Sequence, residues 1–274
     1  MKKILLLLTA LSFDAAHAQT NLSNNQFIDQ IQSSDAIPEH SQDKYFGVYL
    51  AEVPKYQGSS EMKTELVVDV QQEWSNGILV VANSWKPYDS FQVGKHLSSI
   101  ENLDYGVLVG AGLSRSSFID DGEGNGNKDW MPFAGGFLKY KLSEDIQINS
   151  EALYYFGQFR GGAYADLNVI KNFPITDHQT LAFSAGTVLA NQTFSTSQYG
   201  ISASQSIAYG YPQYSPSAGV EDVHLSLNWR WSFNSAWMLN SSIYVSHLTS
   251  NVSGTRQVQN ENNGSLFVGL AYRF

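Results

Sequence analysis

The last dozen residues limit the fold more than any other stretch of the chain. From Asn263 to Phe274, Leu266, Val268, Leu270, Tyr272 and the terminal Phe274 alternate with Phe267, Gly269, Ala271 and Arg273. A period of two places the two sets on opposite faces of a strand, so one face is apolar throughout and the chain ends on it. Two structures would carry that pattern: a buried last strand of a soluble sandwich, or a lipid-facing strand that closes an outer-membrane barrel.

The amino terminus chooses the compartment. Lys2 and Lys3, the apolar run Ile4 to Leu8 with Ala10 and Leu11, and Ala16-His17-Ala18 have the order of a secretory signal peptide, so residues 1–18 are expected to be cleaved. Its apolar core is shorter than the roughly 20 residues a membrane-spanning helix needs. The longest later runs, Val107 to Leu113 and Leu266 to Tyr272, are shorter than that as well. A chain that enters a bilayer without such a helix must close into a barrel, because every backbone group in hydrocarbon needs a partner.

Composition favours the barrel. Aromatic residues make up 13% and hydrophobic residues 43%, while charged residues are 15% and the mean hydropathy is −0.22. These values suit strands that are apolar on alternate residues and carry aromatic girdles. The absence of cysteine excludes disulfides, thiolate metal sites and thiol nucleophiles. Loss of Lys2, Lys3 and Asp14 with the signal peptide moves the formal net charge from −9 to −10, which speaks against nucleic-acid binding.

Residues 19–43 are rich in Asn, Gln, Ser and Asp and read as a periplasmic linker or a short, loosely held helix. From residue 44 to 274, period-two segments follow one another. The clearest is Val223 to Phe233, with Val223, Leu225, Leu227, Trp229, Trp231 and Phe233 on one face and His224, Ser226, Asn228, Arg230 and Ser232 on the other. Trp237 to Leu248 and Ile146 to Phe156 repeat it, the latter with Gln147, Asn149, Glu151 and Tyr155 on the polar side. The segments predict an all-β, antiparallel, up-and-down transmembrane barrel of about twelve strands. Connection lengths agree. Ser75-Asn76-Gly77, 100–102, 142–145, 172–177 and Asn234-Ser235 are short, whereas 114–130, 191–222 and 249–263 are long and share the opposite, extracellular parity.

Several stretches resemble the MipA/OmpV family of outer-membrane barrels, the MltA-interacting proteins. They are Pro54, Tyr56, Gly58, Ser59 and Ser60; Ala134-Gly135-Gly136-Phe137 with Tyr140; Tyr199-Gly200-Ile201-Ser202 followed by Tyr214, Pro216, Gly219, Val220 and Asp222; and the closing Gly269-Leu270-Ala271-Tyr272-Arg273-Phe274. The resemblance implies a cell-envelope scaffold with a murein lytic transglycosylase and a bifunctional murein synthase as partners. It offers no catalytic residues. The closing Leu270, Tyr272 and Phe274 are expected to act as the signal for barrel assembly, and lipid and lipopolysaccharide are the expected surroundings.

Other candidate sites read more plainly. His224 and Ser226 share a strand face about 7 Å apart; a base and nucleophile would also need an orienting acid, and lumen packing is the simpler account. Asp121, Glu123, Asn125 and Gly126 imitate half of a calcium loop, with Asp120 and Asp129 nearby, but Pro132 stands where the closing bidentate Glu belongs. No metal, cofactor or enzymatic activity is therefore expected. The Tyr199 to Gly219 loop is long enough to fold inward as a plug or outward as a ligand surface. Bulky inward candidates Tyr155, Arg230 and Tyr244 favour at most a narrow pore, so the rivals to a scaffold are a small-solute channel and a surface adhesin.

Overall fold

In the computed structural model, residues 44–83, 90–98, 100–113, 130–156 and 162–274 are described. Twelve strands follow one another: β1 (Lys44–Pro54), β2 (Met62–Glu73), β3 (Ile78–Asn83), β4 (Ser90–His96), β5 (Leu103–Leu113), β6 (Trp130–Lys141), β7 (Ile146–Tyr155), β8 (Ala163–Thr176), β9 (Gln179–Ala190), β10 (Gly219–Ser232), β11 (Trp237–Leu248) and β12 (Asn262–Arg273). Each pairs antiparallel with its neighbours in sequence, and β12 returns to β1, closing the barrel. The seam runs from Tyr45↔Arg273 to Glu52↔Leu266. It ends where Lys44 and Phe274 exchange two backbone hydrogen bonds of 3.1 and 3.0 Å. Closure gives each of the twelve strands a partner strand on both sides, which is what a spanning sheet requires.

The alternation seen in the sequence becomes an inside and an outside. On β10, Val223, Leu225 and Leu227 are 40–48% exposed while His224 is 2% and Ser226 3%. On β12, Leu266, Val268 and Leu270 face out, and Phe267 and Ala271 are buried. The same apolar outer face continues through Leu50, Leu66, Val107, Val109, Val169 and Ile243. A surface this apolar around a closed barrel belongs in lipid, and the protein is an outer-membrane barrel. Among the described residues no helix is long and apolar enough to cross a membrane.

Exposed aromatics gather at the end that carries the short turns: Trp74, Tyr105, Tyr140, Phe173, Trp231, Phe233, Trp237 and Phe274. Trp231 meets Phe233 edge-on at 4.7 Å and Tyr272 stacks on Phe274 at 5.6 Å. Amphipathic rings settle at the headgroup level, so this ring of side chains marks the periplasmic interface. The turns are locally determined. Gly77 takes φ 79°, donates to Trp74 O at 2.8 Å, and lets Asn76 Oδ1 accept from Ile78 N at 3.1 Å; Asn234 Oδ1 caps the next-to-last turn in the same way, accepting from Ala236 N and Trp237 N.

Two boundaries differ from the alternation. β10 begins at Gly219 rather than after Asp222, because a bulge between Val220 and Asp222 breaks the period-two pattern while the ladder with β9 continues. β8 likewise runs on to Thr176 through an irregularity at Pro174/Thr176, lengthening the β8–β9 hairpin beyond its expected end.

Candidate functional site: the lumen and its two mouths

The extracellular mouth is filled by its own loops. The 191–218 connection forms two helices, α1 (Gln192–Tyr199) and α2 (Ala203–Tyr209). Asn191 is the N-cap of α1, and its Oδ1 accepts from Phe194 N at 2.9 Å and from Ala163 N at 3.0 Å. One amide thus satisfies a free helix donor and fixes the helix to the start of β8. Phe194 is thereby lowered between Tyr155 and Tyr164, with ring centroids 5.7 and 5.4 Å away, and Phe133 meets Tyr155 edge-on at 5.6 Å. Tyr164 Oη donates to Glu151 at 2.6 Å, which pairs the polar tip of that ring.

Beside α1 a second set of contacts knits three loops together. Tyr199 Oη donates to Gln57 Oε1 (3.3 Å), Gln57 Nε2 donates to Asp222 Oδ2 (3.2 Å), Gly58 N donates to Asn263 Oδ1 (2.8 Å), and Gln257 Nε2 donates to Gly200 O (3.0 Å). Tyr199, Leu248 and Val252 of the short helix α3 (Ser250–Ser253) form a small apolar cluster with Val258 against it. The Tyr199 to Gly219 stretch divides in two. Tyr199 and Ile201 turn inward and are buried, whereas α2 projects away, with Ile207 86% exposed. A Ser202–Gln205 capping box starts α2 and Gly210, at φ 71°, stops it. The residues that plug the lumen, Phe194 and Ser195 of α1, lie just ahead of the stretch named from sequence.

Below the plug lies a buried polar layer centred on His224. Its Nδ1 is 2.8 Å from Asp222 Oδ1 and its Nε2 2.9 Å from Asn168 Oδ1. Asn168 Nδ2 donates to Asp166 Oδ1 at 3.0 Å, and Tyr244 stacks on the imidazole at 5.6 Å. Ser226 pairs instead with Ser184 at 2.9 Å and accepts from Asn228 Nδ2 at 3.1 Å. The acid missing from the sequence reading of His224 and Ser226 is therefore Asp222, but the imidazole addresses Asn168 and not the serine. The layer is built for polar packing across β8, β9 and β10; Gly186 makes room for it, since a Cβ there would overlap Asn168 Oδ1 and His224 Nε2.

On the opposite wall Asn240 Nδ2 donates to Tyr45 Oη at 2.8 Å and Tyr49 Oη at 3.2 Å, the two phenols are hydrogen-bonded to each other, and Gln71 Nε2 donates to Asp69 Oδ2 at 3.1 Å. Tyr155, Tyr45 and Tyr49 are among the largest fully buried side chains, so the inward direction expected for Tyr155 holds. Towards the periplasmic mouth, His96 Nδ1 lies 2.7 Å from Asp104 Oδ1, and the imidazole meets Phe137 edge-on with ring centroids 5.0 Å apart.

That mouth is open on the side of β8 to β12. A cavity of about 740 Å³ is lined there by Pro174, Ile175, Thr176, Asp177, His178, Thr180, Arg230, Ser232, Asn234, Ser235, Met238 and Arg273. In the exposed 142–145 turn nearby, Lys171 and then Ser143 (2.6 Å) donate to Asp145 and hold its carboxyl below the usual range.

The remaining sequence candidates are quickly placed. Leu270 and Phe274 are exposed on the outer wall, and Tyr272 is half-buried between Trp237 and Phe274. Asp120, Asp121, Glu123, Asn125, Gly126 and Asp129 lie outside the described residues, as do residues 1–18, expected to be a signal peptide, and residues 19–43. Among the described residues no group of three or more His, Asp or Glu is placed to hold a metal.

The family model "MltA-interacting protein MipA" matches residues 43–274. The chain belongs to that family. The MipA match begins at the edge of β1 and ends on Phe274, so it spans the whole barrel. No curated protein matches the chain. Solved structures similar to it include the NanC porin (12% identity, 83% of this chain and 98% of that one, TM-score 0.48) and the KdgM porin in complex with disordered oligogalacturonate (8%, 83% and 99%, TM-score 0.48). The translocator domain of the autotransporter NalP from Neisseria meningitidis is another, at 12% identity over 92% of this chain and 96% of that one with a TM-score of 0.47.

Proposed function

We propose that this MipA-family barrel is a non-enzymatic scaffold of the outer membrane that holds murein-remodelling enzymes, a lytic transglycosylase and a bifunctional murein synthase, at the inner face of that membrane. The observation that carries the reading is the family match across the barrel, under a description that names interaction with MltA. The filled extracellular mouth supports it, because Phe194, Tyr155, Tyr164 and Tyr199 occupy the space an open pore would need. The chain reaches the membrane after export and removal of residues 1–18. Affinity co-purification from gently solubilised envelopes, beside an unrelated barrel of similar size, tests it: recovery of a transglycosylase or murein synthase at stoichiometric level is expected, and recovery of assembly factors and lipopolysaccharide alone would sink it.

A narrow channel is the second reading, and the polar cavity at the periplasmic mouth is the observation in its favour. Liposome swelling by small solutes would support it over the scaffold. Loss of host-surface binding on deletion of the α2 loop would point to an adhesin instead. A change of lipid A mass on expression, abolished by His224→Ala, would point to a lipid-modifying enzyme.

Leu270, Tyr272 and Phe274 serve barrel assembly in this reading. They stand outward at the end of the closing strand, where the insertion machinery meets it. Deletion of Phe274 is expected to lower the amount of protein in the outer membrane; unchanged levels would remove the assembly role.

A further inference from the structure

The outer wall carries a cavity of about 640 Å³ near its extracellular edge. Its lining runs along consecutive residues of β9, β10, β11 and β12 and includes none from across the lumen, so it opens to the lipid side. Ladder pairing sets Ala185, Leu225, Val245 and Gly264 side by side in one row. One step further along the outer face stand His247 and Asn262, paired across β11 and β12 and both exposed. On β11, ten residues separate His247 from Trp237 of the periplasmic girdle. At about 3.3 Å per residue and a tilt of about 40°, that is roughly 25 Å, the height of the apolar band of such barrels. The His247–Asn262 pair therefore stands where hydrocarbon gives way to head groups in the outer leaflet.

Two details give this cavity a chemistry. Nothing in the barrel requires a glycine at position 264: it lies in β12 without a positive φ, and a Cβ there would come no nearer than 4.0 Å to anything beyond its chain neighbours, the closest atom being the Tyr244 carbonyl oxygen. The missing side chain keeps the groove open rather than relieving a clash. At the rim, Asn262 Oδ1 accepts from His247 Nδ1 at 3.0 Å, which leaves Nε2 as the acceptor of the neutral imidazole. Neither that Nε2 nor the Asn262 amide NH₂ has a partner among the described residues, and no Lys or Arg lines the cavity.

We infer that this groove is a binding site for one outer-leaflet glycolipid, with an acyl chain lying along Gly264 and Val245 and the sugar it is joined to held at His247 and Asn262. An acceptor beside amide donors suits sugar hydroxyls and the N–H of an amide-linked acyl chain. In a phospholipid the first charged group above the chains is a phosphate, which has no proton to give to Nε2 and finds no cation here. The groove is a defined site within the general contact with lipid. It depends on the outer-membrane placement of the barrel and not on the scaffold reading.

Native mass spectrometry of the full mature protein in a mild detergent, titrated with lipid A and separately with dimyristoylphosphatidylethanolamine, tests this. One lipid A per barrel is expected at saturation, with the phospholipid bound about tenfold more weakly or worse. Gly264→Leu fills the groove from the outer face and should lower the affinity for lipid A about tenfold, and His247→Ala removes the acceptor and should lower it severalfold. Val109→Leu, on the exposed face of β5 away from the groove, should bind like the wild type. Heat-modified electrophoretic migration checks that each variant is a folded barrel. Absence of a one-to-one complex, equal binding of the phospholipid, wild-type affinity in both Gly264→Leu and His247→Ala, or an equal loss in Val109→Leu would overturn the assignment.

Discussion

The two ends of this barrel meet the same problem, a lumen wide enough to need filling, with different means. At the extracellular end, the 191–218 and 249–261 connections carry helices and, with the 55–61 turn, return over the opening, where Phe194 and Tyr199 are buried and loop amides bond strand residues such as Asp222 and Asn263. At the periplasmic end the turns satisfy their own backbone within a few residues, as at Gly77 and Asn234, and reach no further. The opening there stays lined by the charged tips of strands. Connection length thus separates a plugged mouth from an accessible one, and long loops on a rigid frame take over the work that packing does in a soluble core.

The largest expected effect lies between the two ends, in the layer both depend on. Gly186→Val drives a side chain into Asn168, His224 and the Leu167 carbonyl. Overpacking together with a broken buried network should cost more than about 3 kcal/mol. Urea unfolding followed by tryptophan fluorescence should show it, and a stable barrel would mean that the His224 layer is looser than its geometry implies.

Phe194→Ala breaks the contrast from above. Loss of a buried phenyl from a packed cluster typically costs about 3 kcal/mol, and here it should be felt as an unseated α1 rather than an unfolded barrel. Planar-bilayer recordings are expected to find the wild type nearly silent and the variant conducting. Equal conductance of the two would show that α1 does not close the mouth. Asp222→Ala acts one level lower, removing the partner of both His224 Nδ1 and Gln57 Nε2. Two buried groups left without it should cost about 2–3 kcal/mol, and protease sensitivity of the 55–61 loop should rise because Gln57 loses its anchor.

Much of the frame was legible in the sequence because a barrel writes its inside and outside on alternate residues. The twelve strands, their closure and the outward set of β10 and β12 all follow from that period. The site was less legible. Asp222 stands two residues before His224, on the same face, yet the bulge at Val220/Asp222 breaks the alternation just there and hid it in an apparent loop. Asn191-Gln192-Thr193 carries only a single cap residue as a helix signal, and α1 has no strong apolar stripe to announce it. Its inward course is decided by Tyr155 and Tyr164, which come from strands remote in sequence. The cavity at the other mouth is likewise invisible without register, since Arg230 and Arg273 come to line it together only through the pairing of β10, β11 and β12.

The smallest effect belongs to the periplasmic rim. Asp145 takes hydrogen bonds from Lys171 and Ser143, which stabilise its charged form and lower its pKa in the folded state. A depressed carboxyl contributes stability that is present above the unfolded value, about 3.9, and is lost as pH falls through the lower folded value. The group is fully exposed, so the contribution is small and weakened by salt. Asp145→Asn should therefore lower the unfolding temperature slightly at neutral pH, and the difference from wild type should shrink as the pH falls below about 4. A difference that persists unchanged in acid would assign the role of Asp145 to turn geometry, through Ser143 and the Asn172 N–H that donates to its carbonyl at 2.8 Å, rather than to its charge.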